Sequence, residues 1–313
     1  RIVKSTERIW HRVSPTADMK PETIPTPSLE RMIPLLVRMQ RDLDQDLNLE
    51  ALAERFGYSA FHFHRLFRET VGETPRRYVE RLRLEKAAYK LQISAESILD
   101  ISLATGFRNH ETFARAFRRH FGGTPNRYRI DGKIAQAKRL ERNRNFQGDQ
   151  CVLSDVTFES LRPRHLLTIR HLGDYQAIPA PFSKKDRLWN KLVRWADAHA
   201  VPHTRLAIAF YHDDPTVTPK PAQRCDVTIP IDGKVAGTQR IRCLEFAGGP
   251  YGVIEHIGPA STLIQGFRQL ADGIRRSKKW GFRDGPAIQI VRNEHVDAES
   301  SLNCTDLQLP VKK

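Results

Sequence analysis

Apolar residues recur at helical spacing through the first half of the chain and at strand spacing through the second, with the change near residue 150. Leu29, Met32, Ile33, Leu36 and Met39 stand three or four apart, which predicts an amphipathic helix from 29 to about 43. Asn48 is placed to cap a second helix whose inner face carries Leu49, Leu52, Ala53 and Phe56. Gly57 then supplies a tight turn, and Ser59 caps a third helix with Phe63 and Phe67 on its buried side, so that Ala60, His64, Arg65 and Arg68 point elsewhere. Thr74-Pro75 is a cap followed by proline at the first helical position, and it opens a long helix to about Leu91. Residues 1–28 lack this periodicity and contain Pro15, Pro21, Pro25 and Pro27, so they read as a mobile arm.

The pattern then returns. Moving forward by 50, Phe63, Arg65, Phe67, Arg68, Gly72, Thr74, Pro75, Arg77 and Tyr78 are met by Phe113, Arg115, Phe117, Arg118, Gly122, Thr124, Pro125, Arg127 and Tyr128. Upstream the offset is 49, pairing Gly57-Tyr58 with Gly106-Phe107. Ser97 and Asp100 stand at capping-box spacing before the apolar Ile98, Ile101 and Leu103, and Asn109 caps the helix after the Gly106 turn. Two helix-turn-helix units in tandem follow, joined by a helix about 26 Å long at 1.5 Å per residue.

Residues 131–151 are polar and basic and read as a linker. Beyond them 152–161, 166–171, 206–210, 225–229, 240–246, 251–256 and 287–291 are predicted strands, and 184–199 and 260–276 predicted helices. This half is α+β. A faint echo at an offset of 85 sets Ile169, His171, Gly173 and Phe182 against Ile254, His256, Gly258 and Phe267, as two related halves would.

Lys and Arg number 51 against 36 Asp and Glu, and residues 1–147 hold 28 against 18 of these, so the helical half carries most of the surplus. Such a surplus suits a polyanionic partner. No run of eighteen apolar residues and no secretory leader pattern is found, so the expectation is a cytoplasmic protein without a membrane span. Cys151, Cys225, Cys243 and Cys304 lack the close pairs of zinc or redox sites, and no metal or cofactor is expected.

A helix fits the major groove, where each base pair presents a distinct set of donors, acceptors and methyl groups. The candidate readers are the outward residues near the start of the second helix of each unit: Phe61, His64 and Arg65 in the first copy, His110, Glu111, Thr112 and Arg115 in the second. Arginine can clamp guanine through two hydrogen bonds, glutamate can accept from the cytosine amino group, and Phe61 or the Thr112 methyl can touch a thymine methyl. Arg68, Lys90, Arg118 and Arg119 suit phosphates, which add salt-dependent affinity without reading sequence. The linking helix can hold the readers near the ~34 Å that separates successive major-groove openings.

The stretch 106–129, GFRNHETFARAFRRHFGGTPNRYR, resembles the signature of the AraC/XylS family of bacterial transcription regulators, and the likeness covers about residues 29–130. It implies double-stranded DNA as partner, an asymmetric site and action through RNA polymerase. The second half resembles the GyrI-like, or SOUL-type, effector-binding domain through Arg170-His171-Leu172-Gly173-Asp174-Tyr175, Tyr211-His212-Asp213-Asp214-Pro215, Arg224-Cys225-Asp226 and Thr305-Asp306-Leu307-Gln308-Leu309-Pro310. That resemblance implies a cleft between two related halves that takes a small-molecule effector, with Tyr175, Trp189, Tyr211, Tyr251 and Gln289 as candidate lining. Gln289 stands where cation-binding relatives carry a glutamate, and an amide supplies no counter-charge. The expected fold is thus an all-α double helix-turn-helix domain followed by an α+β GyrI-like domain. Two alternatives stay open at this level: a hydrolase, against which Gln289 counts because an amide is no general base, and a protein-interaction module. Two readers on one chain suffice without a dimer and do not exclude one, so monomer and homodimer are both allowed.

Overall fold

A computed structural model of the chain describes residues 26–45, 47–55, 57–132, 151–292 and 303–313. Residues 1–25 of the predicted arm, Phe56, and 133–150 of the predicted linker lie outside the described residues. The chain divides into two compact units, Arg1–Arg142 and Asn143–Lys313.

In the first unit the helices are α1 (Thr26–Arg41), α2 (Leu49–Arg55), α3 (Ala60–Val71), α4 (Pro75–Ile93), α5 (Ile98–Ala104), α6 (His110–Phe121) and α7, helical from 125 to 132. α1 starts three residues earlier than the periodicity predicts, inside the supposed arm. Met32, Leu35, Leu36 and Met39 of α1 and Phe63 and Phe67 of α3 are buried with Tyr78 and Leu82 of α4. The two copies reproduce each other down to ring geometry. Phe67 meets Tyr78 edge-on with centroids 5.4 Å apart, and Phe117 meets Tyr128 edge-on at 5.4 Å. Each such pair adds about 0.5–1.5 kcal/mol to the area it buries.

α4 has no single apolar stripe: Tyr78, Val79, Leu82, Leu84, Ala87, Ala88 and Leu91 are buried around most of its circumference. The cause is its position, since it packs against α1 and α3 on one side and α5 and α6 on the other. At 19 residues it spans about 28 Å. Arg83 of α4 reaches the chain beyond α1, with Nε 2.8 Å from the Leu43 carbonyl and Nη2 2.7 Å from that of Gln45. Gly106, at φ +89, lies against the same spot, and a Cβ there would collide with the Leu43 carbonyl oxygen. The turn of the second copy is thereby docked onto the first.

In the second unit β1 (Val152–Leu153), β2 (Thr157–Leu161), β3 (Arg164–Leu172), β4 (Ala207–Tyr211), β5 (Arg224–Ile231), β6 (Arg242–Phe246), β7 (Gly249–Ile257), β8 (Gly281–Phe282), β9 (Ala287–Val291) and β10 (Cys304–Lys312) form one antiparallel sheet. Its order is β1-β7-β10-β9-β4-β5-β3-β6, with β2 also on β7 and β8 on β10. The helices are α8 (Trp189–Ala198) and α9 (Leu263–Arg276). α8 starts five residues later than predicted, where the Asp186 carboxylate accepts from the backbone N–H of Leu188 at 2.7 Å, Trp189 at 3.1 Å and Asn190 at 2.9 Å. The predicted strand 152–161 is two strands, and β8 and β10 were not foreseen from alternation.

The order β3-α8-β4-β5 is repeated by β7-α9-β9-β10, and the halves join where β4 pairs with β9, Ala209 opposite Gln289. Val291 belongs to the core beneath α8 and Ala287 to that beneath α9, so alternation puts Gln289 between them on the helix-covered face. The other face curls onto itself around Leu166, Ile208, Phe210, Tyr251, Val253 and Ile288. Curling brings Phe246 of β6 within 6.1 Å of Tyr251 of β7, although the strand order separates them. Gly248, at φ +72, makes the crossing: a Cβ there would strike the Leu161 carbonyl oxygen.

Candidate nucleic-acid interface and ligand cleft

α3 and α6 start and stop by the same devices. Ser59 Oγ accepts from His62 N at 3.3 Å and Asn109 Oδ1 from Thr112 N at 2.8 Å, while Gly72 (φ +83) and Gly122 (φ +74) end the helices in the left-handed conformation. Because Phe63 and Phe67, or Phe113 and Phe117, fix the inner side, rotation of each helix is set. Phe61, His64, Arg65 and Arg68 are then exposed on α3, and His110, Glu111, Thr112, Arg115, Arg118 and Arg119 on α6. Phe61, His64, Arg65 and Arg68 line one shallow hollow with Glu69. Phe61 is 81% exposed, an apolar ring held in water at the head of a basic surface.

Arg119 is paired to Glu80 of α4 while still largely exposed. Lys90 does not join the reading faces. It lies on α4 with its side chain only 12% exposed and Nζ 3.6 Å from a Glu96 carboxylate oxygen. Arg81 is likewise committed within the fold, its Nη groups 2.7 Å from Glu73 and 3.1 Å from Glu85.

In the second unit, Tyr175, Tyr211 and Gln289 converge on the seam between the halves. The Tyr211 hydroxyl donates to Gln289 Oε1 at 2.5 Å, and the Tyr175 and Tyr211 rings meet edge-on at 4.8 Å. Phe267 of α9 closes the other side at 6.2 Å from Tyr211. The Tyr175 hydroxyl accepts from Asp213 N at 3.1 Å and donates to the Arg224 carbonyl at 3.0 Å. Burial pushes both phenols far above their ordinary range, so they remain neutral donors. These four lining groups are uncharged. Their polar atoms are one amide and two phenols, set among aromatic rings.

Two expected lining residues belong elsewhere. Trp189 is 3% exposed, packs in the core under α8 and gives its indole N–H to the Thr228 carbonyl at 3.2 Å. Tyr251, 1% exposed, sits in the core of the opposite face, because its neighbour Gly252 takes the position under α9. Phe267 was missed as a site residue, although the echo that pairs it with Phe182 pointed to it. A buried polar cluster of Arg170, His212, Asp226 and Arg242 was also missed. Its signal was charged residues inside predicted strands 166–171, 225–229 and 240–246.

A helix-turn-helix domain family matches residues 52–130, and the GyrI-like small molecule binding domain family matches residues 154–312, half of the chain. The chain is an AraC-type helix-turn-helix protein with a GyrI-like domain. In this AraC-type protein, 95 residues are 40% identical to the right origin-binding protein of Escherichia coli (strain K12), covering 30% of this chain and 33% of that one. It thus spans about a third of the length of that relative. Over 100 residues it is 39% identical to the probable transcription factor PqrA of Proteus vulgaris, covering 32% of this chain and 80% of that one. Among solved structures, an AraC-type transcriptional regulator from Chromobacterium violaceum is 30% identical with a TM-score of 0.32, covering 34% of this chain and 96% of that one. Among the described residues no helix is long and apolar enough to cross a membrane.

Proposed function

We propose that this AraC-type protein regulates transcription in the bacterial cytoplasm by reading two successive major-groove faces of an asymmetric DNA site, under the influence of a small molecule held in its GyrI-like cleft. The observation that carries this reading is the pair of exposed helices α3 and α6, each with a side-chain N-cap and a left-handed glycine at its end, on one long shared helix. Arg65 and Arg115 occupy equivalent places on them and serve as base-reading arginines, with Phe61, His64, His110, Glu111 and Thr112 completing the two faces and Arg68, Arg118 and Arg119 on phosphates. RNA polymerase is the partner through which binding acts. The relatives named as regulators, and a cleft whose polar groups are an amide and two neutral phenols, speak against a hydrolase, since none of these is a general base near neutral pH.

Selection of bound sequences from random duplex DNA at several salt concentrations tests the reading. Enrichment of a two-part, non-palindromic motif is expected, and the absence of any enriched motif contradicts it. For the cleft, a thermal-shift screen of neutral aromatic compounds against the wild type and Gln289→Ala should give hits that the variant loses.

A further inference from the structure

A buried polar cluster lies on the sheet face turned away from α8 and α9, opposite to the face that carries Tyr211 and Gln289. Ile169, Cys225 and Val227 pack under α8, so alternation sends Thr168, Arg170, Asp226 and Thr228 to the other side. There Asp226 is saturated. Its carboxylate takes Arg170 Nε at 2.7 Å and Nη2 at 2.6 Å, Arg242 Nη2 at 2.9 Å, and lies 2.9 Å from His212 Nε2. Arg170 Nη2 stands 3.2 Å from the same His212 nitrogen. On this face of β5 the next charged residue, Arg224, is matched to Asp213, with Nε 3.0 Å from a carboxylate oxygen.

The cluster therefore holds two guanidinium charges against one carboxylate whose acceptor positions are already taken. Among the described residues, Arg242 Nε is buried without a hydrogen-bond partner. So is the hydroxyl of Thr168, a residue that is 0% exposed and pairs directly with Arg242 in the β3–β6 register. Excess buried cationic charge and unmade buried hydrogen bonds are both costly. An oxyanion lying over the paired residues Thr168 and Arg242 on this face, admitted as the partly exposed Arg242 side chain shifts, removes both costs at once, because it accepts from Arg242 Nε and from Thr168 Oγ1 and supplies the missing negative charge. Arg242 and His212, the less deeply buried members, mark the side from which it enters.

We propose that Arg242 and Thr168, with His212 beside them, form a binding site for the carboxylate or phosphate group of a small ligand, separate from the seam cleft. Arg170 and Asp226 are positioning residues that hold the Arg242 guanidinium in place. The site needs no occupant in the cleft and stands or falls independently of the proposed DNA reading.

The test is a titration of the full chain with arginine labelled in 15N, following the Arg242 Nε–H resonance as chloride is replaced by inorganic phosphate or by acetate at constant ionic strength. The resonance is assigned by its loss in Arg242→Gln. A saturable shift is expected with at least one anion: phosphate alone identifies a phosphoryl group, acetate alone a carboxylate. Thr168→Val, which removes one hydroxyl and keeps the shape, should keep the resonance and weaken binding roughly two- to tenfold. A resonance that moves with neither anion overturns the proposal, as does a Thr168→Val protein that binds as tightly as the wild type.

Discussion

Both units of this protein are built twice over, and they use duplication in opposite ways. In the helical unit each copy has its own caps, its own aromatic pair and its own outward face, so the candidate reading residues lie on two separate exposed helices. In the sheet unit the candidate lining residues lie instead where the halves meet, at Tyr211 of β4 and Gln289 of β9. Independent copies free the outer positions to diverge, as Phe61, His64 and Arg65 have from His110, Glu111, Thr112 and Arg115. Copies fused at a seam diverge inside instead, and polar groups on matching strands take different roles.

The largest test of that difference compares Asp226 with Asp306, which hold matching places on β5 and β10. Burial would raise Asp226, but Arg170 and then His212 hold it well below the ordinary carboxylate range. Burial raises Asp306, and Arg292 offsets this only in part. Asp226→Asn leaves Arg170 buried beside a neutral amide and should cost about 3–5 kcal/mol; Asp306→Asn should cost under about 1 kcal/mol. The signs with pH are opposite. Stability from Asp226 is present above the unfolded carboxylate value and is lost as pH falls through it towards the depressed folded value. That from Asp306 is present below the unfolded value and lost as pH rises through the raised folded one. Denaturant unfolding of wild type and both variants across the acid range checks both statements.

A second test asks how far the helical copies are equivalent. Gly57 and Gly106 both take positive φ, but nothing lies within 4 Å of a Cβ at Gly57, whereas at Gly106 a Cβ meets the Leu43 carbonyl and Arg83. Gly57→Ala should cost about 1–2 kcal/mol for its conformation alone. Gly106→Ala should cost more, by about 1–3 kcal/mol of overpacking. Equal shifts in the unfolding midpoint would mean that the second turn is not docked on the first copy.

Smaller effects are expected at the seam and on the phosphate contacts. Gln289→Ala leaves the Tyr211 hydroxyl without its acceptor and should destabilise by about 1–3 kcal/mol, measured by thermal unfolding. Arg68→Ala should lower the salt slope of DNA binding by about 1 and Lys90→Ala should leave it unchanged, because Lys90 is turned to Glu96.

The helical unit was legible because its signals are local: capping side chains, turn glycines and paired phenylalanines within a dozen residues specify each helix and its rotation. The pairing of Lys90 with Glu96 was not legible, since spacing along a helix buried on most sides does not say which side faces the neighbouring loop. In the sheet unit, strand positions were readable from alternation, except for β10, where seven successive residues from Thr305 to Val311 are buried and the two faces cannot be told apart. Which strand face an aromatic residue occupies depends on register and on a distant helix, so Tyr251 and Trp189 could not be separated from Tyr175 and Tyr211 by sequence. The Asp226 cluster joins β3, β5, β6 and the residue that follows β4, and only the folded sheet brings these together.

The central claim, that the two copies read separate parts of one site, is tested most directly by repeating the random-duplex selection with Arg65→Ala and Arg115→Ala. Each variant should lose about 1–3 kcal/mol of discrimination at its own group of bases, the two groups lying about one helical turn apart, and keep the wild-type preference at the other. Loss of preference across the whole motif in either variant, or in neither, would contradict it.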